Sequence, residues 1–416
     1  MMVSEAAVDR QHIGLRDLPR NVWAVTVTSC LTDISSEMIL NLLPLFLANV
    51  LGVRTGVIGL IEGLAESTAS LLKVFSGWLS DRLGRRKGLA VTGYALSTVA
   101  KPFLYIVTSW WGVLAVRFAD RVGKGIRTAP RDALVADSID GRHRGLAFGL
   151  HRAGDTAGAL IGLLIALGVV WATQAGGVAL TRSTFQTVVL ISVIPATLGV
   201  LALALGARDM PAADVRERPK LSLRGFEVGF RRFLAVVMLF TLGNSADAFL
   251  ILRAQERGLN VLGVLGMLAT FNLVYTLVSG PAGSLSDRVG RRRLLVGGWL
   301  IYGLIYLGFA LAGAAWQVWA LYAMYGVYYG ASEGTARAFV ADLVPSARRG
   351  TAYGVYNAAV GLAAFPASLI AGLLWQGAGA WSGFGPSAPF FFGAGLALAA
   401  VALLAGWVPG PSEHHG

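Results

Sequence analysis

One short motif stands twice in this chain, at matching places in its two halves. Gly77-Trp78-Leu79-Ser80-Asp81-Arg82-Leu83-Gly84-Arg85-Arg86-Lys87 returns as Gly283-Ser284-Leu285-Ser286-Asp287-Arg288-Val289-Gly290-Arg291-Arg292-Arg293. Asp287 follows Asp81 by 206 positions, about half of the 416 residues. The repeat is wider than the motif. Arg144-Gly145-Leu146-Ala147-Phe148-Gly149 corresponds to Arg349-Gly350-Thr351-Ala352-Tyr353-Gly354, and Arg131 to Asp137 has a weaker counterpart in Arg337 to Asp342. An offset that holds this steadily points to two halves built on one plan.

Composition decides the solvent of those halves. Hydrophobic residues make up 55% of the chain and charged residues 14%, where a soluble domain carries about 25% charged residues. Apolar stretches of about 20 residues cross the hydrocarbon layer as helices. Twelve are expected: 22–50, 56–79, 88–108, 111–139, 145–172, 185–207, 231–255, 261–285, 294–313, 315–342, 350–376 and 388–408. Internal charge weakens the first, fourth and tenth. The fold class is therefore an all-α membrane protein with two pseudo-symmetric six-helix halves. Membrane halves on one plan suit alternating access, in which one half moves against the other.

The net charge of +12 invites a nucleic-acid reading, but the basic residues sit in alternate loops. Arg82, Arg85, Arg86 and Lys87 form one group; Arg142 and Arg144, then Arg208 to Arg224, then Arg288 to Arg293, then Arg348 and Arg349 form the others. The intervening loops hold little beyond Arg54, Arg182 and Arg257. By the positive-inside rule the rich set and both termini are cytoplasmic, in a bacterial-type inner or plasma membrane. Residues 1–21 lack a signal-peptide cleavage pattern, so the first apolar segment is expected to remain as a helix. The expected organisation is a cytoplasmic segment 1–21, a first half 22–207, a linker 208–230, a second half 231–408 and a tail 409–416. Cys30 is the single cysteine, and no metal-ligand cluster, P-loop or Ser/His/Asp spacing stands out. No metal, cofactor or nucleic-acid partner is expected, and the chain reads as a monomer.

The doubled motif between the second and third spans, and between the eighth and ninth, resembles the signature of the major facilitator superfamily (MFS). The resemblance covers essentially the whole chain. It implies that Gly77, Asp81, Arg82, Gly84, Arg85 and Arg86, with Gly283, Asp287, Arg288, Gly290, Arg291 and Arg292, form a conformational switch. In it the aspartates hold facing helix ends and the arginines anchor at the lipid surface. Serving only to set topology is the plainer alternative for the basic residues. Arg121-Val122-Gly123-Lys124-Gly125 is similar to the Arg-x-x-Gln-Gly motif of the superfamily's proton-coupled drug antiporters, with Lys124 in place of glutamine. The fifth span has Gly154, Gly158 and Gly162 in close-packing spacing but lacks the antiporters' Gly-Pro pair.

Ionisable residues inside a span are costly and face a cavity or a partner. At about 100° per residue, Arg117, Asp120, Arg121, Lys124, Arg127 and Arg131 share one face of the fourth helix. Candidate counter-charges are Asp33 and Glu37, one turn apart on the first span, Glu62 and Glu66 on the second, and Asp155 beside Arg152 on the fifth. Glu62, Glu66, Arg131, Arg152 and Asp155 read as structural ion pairs, with Glu62 and Arg117 at matching depth. Asp33, Glu37 and Arg121 read as the proton-coupling group. Substrate contact is expected from Asp33, Glu37, Arg117, Arg121 and Lys124. The second half offers Asp247, Tyr325, Tyr329, Glu333, Tyr356 and Asn357, an aromatic and amide lining suited to an organic solute. The expected function is secondary transport of a small organic solute, proton-coupled and exporting, driven by the proton gradient. Proton-symport uptake of an anionic metabolite is the rival. A channel would not need two rocking halves, and a membrane enzyme would need a reactive constellation that the sequence lacks.

Orientation is testable directly. With Cys30 changed to Ala, a cysteine at Ser382 should react with an impermeant thiol reagent added outside, and one at Asp214 should not. The reverse pattern would invert the topology.

Overall fold

The computed structural model describes residues 14–140, 143–174, 176–210, 225–345 and 348–408, with the side chains of residues 81, 280, 282–288 and 333 left aside. Regular structure among them is helical throughout. The first half holds α1 (Arg20–Leu40, prolonged by Leu43–Leu45 and Phe46–Val50), α2 (Thr55–Leu83), α3 (Arg86–Ala100, with a tighter turn Lys101–Tyr105), α4 (Trp110–Asp137), α5 (Arg144–Gln174) and α6 (Arg182–Gly206). The second holds α7 in two pieces (Val228–Gly243 and Ala248–Glu256), α8 (Val261–Val289), α9 (Arg291–Leu311), α10 (Ala315–Asp342), α11 (Arg349–Gln376) and α12 (Ala388–Gly406). These twelve fall at the expected stretches.

Eight of them are long and apolar enough, by length and composition alone, to cross a membrane; α2, α3, α4 and α10 are not among the eight. The expectation named the first, fourth and tenth as weak, and the difference has a physical source. Beyond Arg20, α1 and its extension carry only Asp33 and Glu37 among apolar residues, so it passes. α2 carries Glu62, Glu66 and Lys73, and α3 is a short helix of 15 residues. Such helices need neighbours more than lipid. Exposed apolar side chains such as Trp171, Ile194, Leu205, Leu277, Leu304 and Trp316 cover the outside of the bundle, a surface that only hydrocarbon solvates well.

Duplication governs the packing. α1 packs on α5 and α6, α2 on α4, and α3 on α4; six helices later α7 packs on α11 and α12, α8 on α10, and α9 on α10. Both opening helices break at matching places, α1 after Leu40 and α7 between Gly243 and Ala248. The motif glycines do the same work twice. Gly84 (φ 60°) ends α2 and Gly290 (φ 94°) separates α8 from α9, left-handed backbone that side chains other than glycine's resist. On α5, Gly158 and Gly162 lie against the α1 backbone at Cys30 and Ile34.

The motif arginines depart from expectation. Arg86 is buried, ion-paired with Asp137 and donating to the Ala133 carbonyl at 3.1 Å. Arg291 pairs with Asp342 and donates to the Ala338 carbonyl at 3.2 Å. Arg144 and Arg349 donate to the carbonyls of Ala136 and Ala341, each at 3.2 Å. Arg292 reaches the Leu404 and Ala405 carbonyls on α12. These arginines staple helix ends within a half; they are not simply lipid anchors, because the free carbonyls of a helix C-terminus attract cations. Arg82 stacks over Trp78 and Arg85 is exposed. The side chains of Asp81, Asp287 and Arg288, and Gly283, lie outside the described residues.

Removing one member of a buried pair strands the other. Asp137→Ala should cost about 3 kcal/mol, read as a lowered apparent Tm in detergent, while Arg85→Ala should change stability by less than about 0.5 kcal/mol. Equal effects would show that the Arg86 staple contributes nothing.

Candidate functional site

The halves meet along α2 and α11, and their tightest contacts lie at the end away from the basic loops. Thr55 donates its N–H to Gln376 Oε1 at 2.8 Å and its hydroxyl to the Gly372 carbonyl at 2.9 Å. A Cβ on Gly372 would lie 2.3 Å from the Thr55 carbonyl oxygen, and one on Gly59 2.1 Å from that of Ser368. Glycine at both places lets two backbones touch. At the same end Arg54 reaches the Gly379 carbonyl, and Gln255 of the second half reaches the Val178 carbonyl of the first. This end is closed.

Below the seam a cavity opens between the halves in three adjoining lobes. A lobe of about 630 Å³ begins near Pro44 and Ile251, and lobes of about 470 and 400 Å³ continue past Lys73, Arg131 and Arg337 toward the basic loops. Such volumes suit small organic ligands. Asp33, Glu37 and Lys124 line the 400 Å³ lobe with Arg131, Arg152 and Asp155. Glu37, Glu62, Glu66, Arg117, Arg121, Lys124, Asp247, Tyr325 and Tyr329 line the largest. Tyr356, Asn357 and again Tyr329 and Lys124 line the third. The structure thus gathers these residues around one space. Glu333 is set aside, since its side chain is outside the described residues.

The charges on α4 are sorted by partner. Arg117 is buried and ion-paired with Glu62, at the depth the sequence suggests. Arg121 reaches Glu66 at 3.4 Å and Asp120 at 3.7 Å, and not the expected Asp33 or Glu37. The reason is rotational. α4 packs along α2 more extensively than along α1, so its cations meet the carboxylates of α2 first. Arg127 donates to Ser97 Oγ at 2.6 Å and lies over the Tyr94 ring, while Arg131 holds Asp132 at 2.8 Å and Ser29 Oγ at 3.2 Å. Asp155 faces His151 Nδ1 at 3.4 Å. Arg152 donates to the Tyr275 hydroxyl across the halves and stacks over its ring. Glu37 accepts from Asn41 Nδ2 at 2.8 Å, where α1 breaks. Asp33 has no hydrogen bond or ion pair among the described residues, and Lys124, Arg127 and Arg131 line the same lobe.

The second half's wall is aromatic. Phe240 stacks on Trp299 with centroids 4.3 Å apart, and Phe271 contacts Tyr275, Tyr325 and Tyr329. Asp247, in the break of α7, accepts from the Tyr325 hydroxyl at 3.2 Å.

Several residues here escape a linear reading. His151 bridges Ser29 Oγ (3.1 Å) and Asp155; Lys101, buried, donates to Ser35 and Ser36. The four-residue spacing of His151 and Asp155 is visible in the sequence, but the links to Ser29, Ser35 and Ser36 are not. Arg337 is visible as the repeat counterpart of Arg131.

A family comparison decides what this architecture belongs to. The family model of the Major Facilitator Superfamily matches residues 25–365 and again 233–416. The chain belongs to the Major Facilitator Superfamily. It is similar to an uncharacterized MFS-type transporter of Methanocaldococcus jannaschii, 35% identical over 97% of this chain and 98% of that one. It is 25% identical to the multi-drug resistance efflux pump PmrA of Streptococcus pneumoniae, over 81% of this chain and 84% of the pump. Among solved structures, a POT family transporter in complex with 5-aminolevulinic acid superposes with a TM-score of 0.78, covering 95% of this chain and 97% of that one at 14% identity, a likeness of fold. The protein is therefore an integral membrane MFS transporter whose substrates are small solutes.

Proposed function

We propose that this MFS transporter exports a small organic solute by alternating access, with movement coupled to protons at Asp33 and Glu37. The observation that carries the reading is Asp33, on the wall of a cavity between two halves that are sealed at one end, with no bonded partner among the described residues. A carboxylate so placed changes its surroundings when the halves rock, and a changed environment shifts its proton occupancy. The positive-inside pattern puts the basic loops in the cytoplasm, which makes this conformation open inward. Export is supported by the 25% identity to the efflux pump PmrA. Proton-symport uptake of an anionic metabolite remains the second reading, favoured by Lys124, exposed in the cavity and in no ion pair among the described residues.

In proteoliposomes with an imposed pH gradient and a panel of small organic solutes, Asp33→Asn or Glu37→Gln should abolish pH-driven accumulation and spare downhill exchange. Arg121→Ala should leave coupling in place and lower the apparent Tm modestly, because Glu66 loses its ion pair while Asp120 keeps Arg117 at 3.9 Å. If both carboxylate variants fold and still concentrate solute with an unchanged pH profile, the coupling site lies elsewhere and Asp247 and Glu333 come next.

A further inference from the structure

Most of the cavity's cations are occupied: Arg117, Arg121, Arg127 and Arg131 by the partners given above, and Arg152 by Tyr275. Two remain. Lys124 is exposed to the cavity, lines all three lobes, and makes no side-chain hydrogen bond or ion pair among the described residues. Arg337 of α10 is also exposed, lines the 470 and 400 Å³ lobes opposite it, and its guanidinium bonds to nothing described; only its carbonyl is engaged, by Tyr353. The duplication explains why. Arg131, at the matching place in the first half, is held by Asp132, and where Asp132 stands the second half has Ala338.

We propose that the transporter's solute is an organic anion, its acidic group seated between Lys124 and Arg337 and its flat body laid on the aromatic wall of the second half. This rests on the transport reading above. The balance of charge fits an anion. Among the described residues the 400 Å³ lobe carries Lys124, Arg127, Arg131, Arg152 and Arg337, five cations, against the three carboxylates Asp33, Glu37 and Asp155. Of these, Asp155 faces His151 and Glu37 is held by Asn41, and Glu66 in the neighbouring lobe is taken by Arg121. Asp33 alone faces the two cations unbonded. A carboxylate between Lys124 and Arg337 satisfies both and ties the halves together. The body has its own wall in the 470 Å³ lobe, where Phe240 and Trp299 stack beside Tyr328, Tyr329 and Tyr356. An inorganic anion leaves that wall unused, and a neutral aromatic gives Lys124 and Arg337 no partner beyond those of the described residues.

The test is equilibrium binding to the purified full-length protein in detergent, read by calorimetry. The probes are benzoate, 2-naphthoate and indole-3-acetate, with 2-naphthamide as the neutral isostere and inorganic phosphate as the anion without a body. At least one aromatic carboxylate should bind, and the amide and phosphate should bind about tenfold more weakly or worse. Lys124→Met and Arg337→Gln should each weaken that carboxylate by a similar factor, and Lys124→Arg should restore it. The proposal is overturned if none of the three carboxylates binds, if the amide or phosphate matches them, or if both neutral variants, folded with unchanged Tm, bind like the native protein. Flux of the bound probe in liposomes is scored separately. A probe that binds at this site but is never carried would sink the transport reading and leave the anion site standing.

Discussion

The contact of α2 with α11 is the constraint on which the other features rest. Two helices from different halves touch backbone to backbone at Gly59 and Gly372, with Thr55 hydrogen-bonded to Gly372 and Gln376. Small side chains such as Ser67, Ser70 and Ser368 line the seam, so close packing and a few hydrogen bonds hold it. Such a contact forms and breaks at modest cost, unlike a joint of interlocked large side chains. By symmetry α5 and α8 form the corresponding pair, and they pack less extensively. The two-fold plan is thus broken in the conformation described, which is what a molecule caught in one of two states should show.

Closing one end fixes what the cavity holds. With the seam shut, the charged face of α4 is kept from lipid and turned inward, where buried cations require partners. Carboxylates on α2 and the hydroxyls of Ser97 and Ser29 meet that requirement for Arg117, Arg121, Arg127 and Arg131. The first half is therefore a rigid charged block and the second an aromatic one. Asp33, Lys124 and Arg337 at their junction, without side-chain partners among the described residues, are the groups proposed to respond to a proton or a solute.

Much of the fold was legible in the sequence because it is a matter of period and repetition. The doubled motif, the apolar stretches and the alternating basic loops need no knowledge of neighbours. The stripe on α4 was legible for the same reason, since one helix defines its own face. Partners were legible only where depth alone decided them, as for Glu62 and Arg117. Arg121 was assigned to Asp33 and Glu37 because depth permits it, but the rotation of α4 against α2 gives it to Glu66. The family resemblance implies lipid-surface anchoring for the arginines of the motif; the acceptors of Arg86 and Arg291, Asp137 and Asp342, lie some fifty residues away on α4 and α10. His151 has no partner near it in sequence other than Asp155, and its link to Ser29 exists only through the packing of α1 on α5.

Alternating access is the central claim, and the seam offers its most direct test. Cysteines at Thr55 and Gln376, in protein with Cys30 changed to Ala, can be joined by a short bifunctional thiol reagent. Linking them should stop solute flux in proteoliposomes, and cleaving the linker with reductant should restore it, while either single cysteine treated alike should transport normally. Full flux through the linked protein would contradict the account, because it would mean that solute crosses without the seam ever opening.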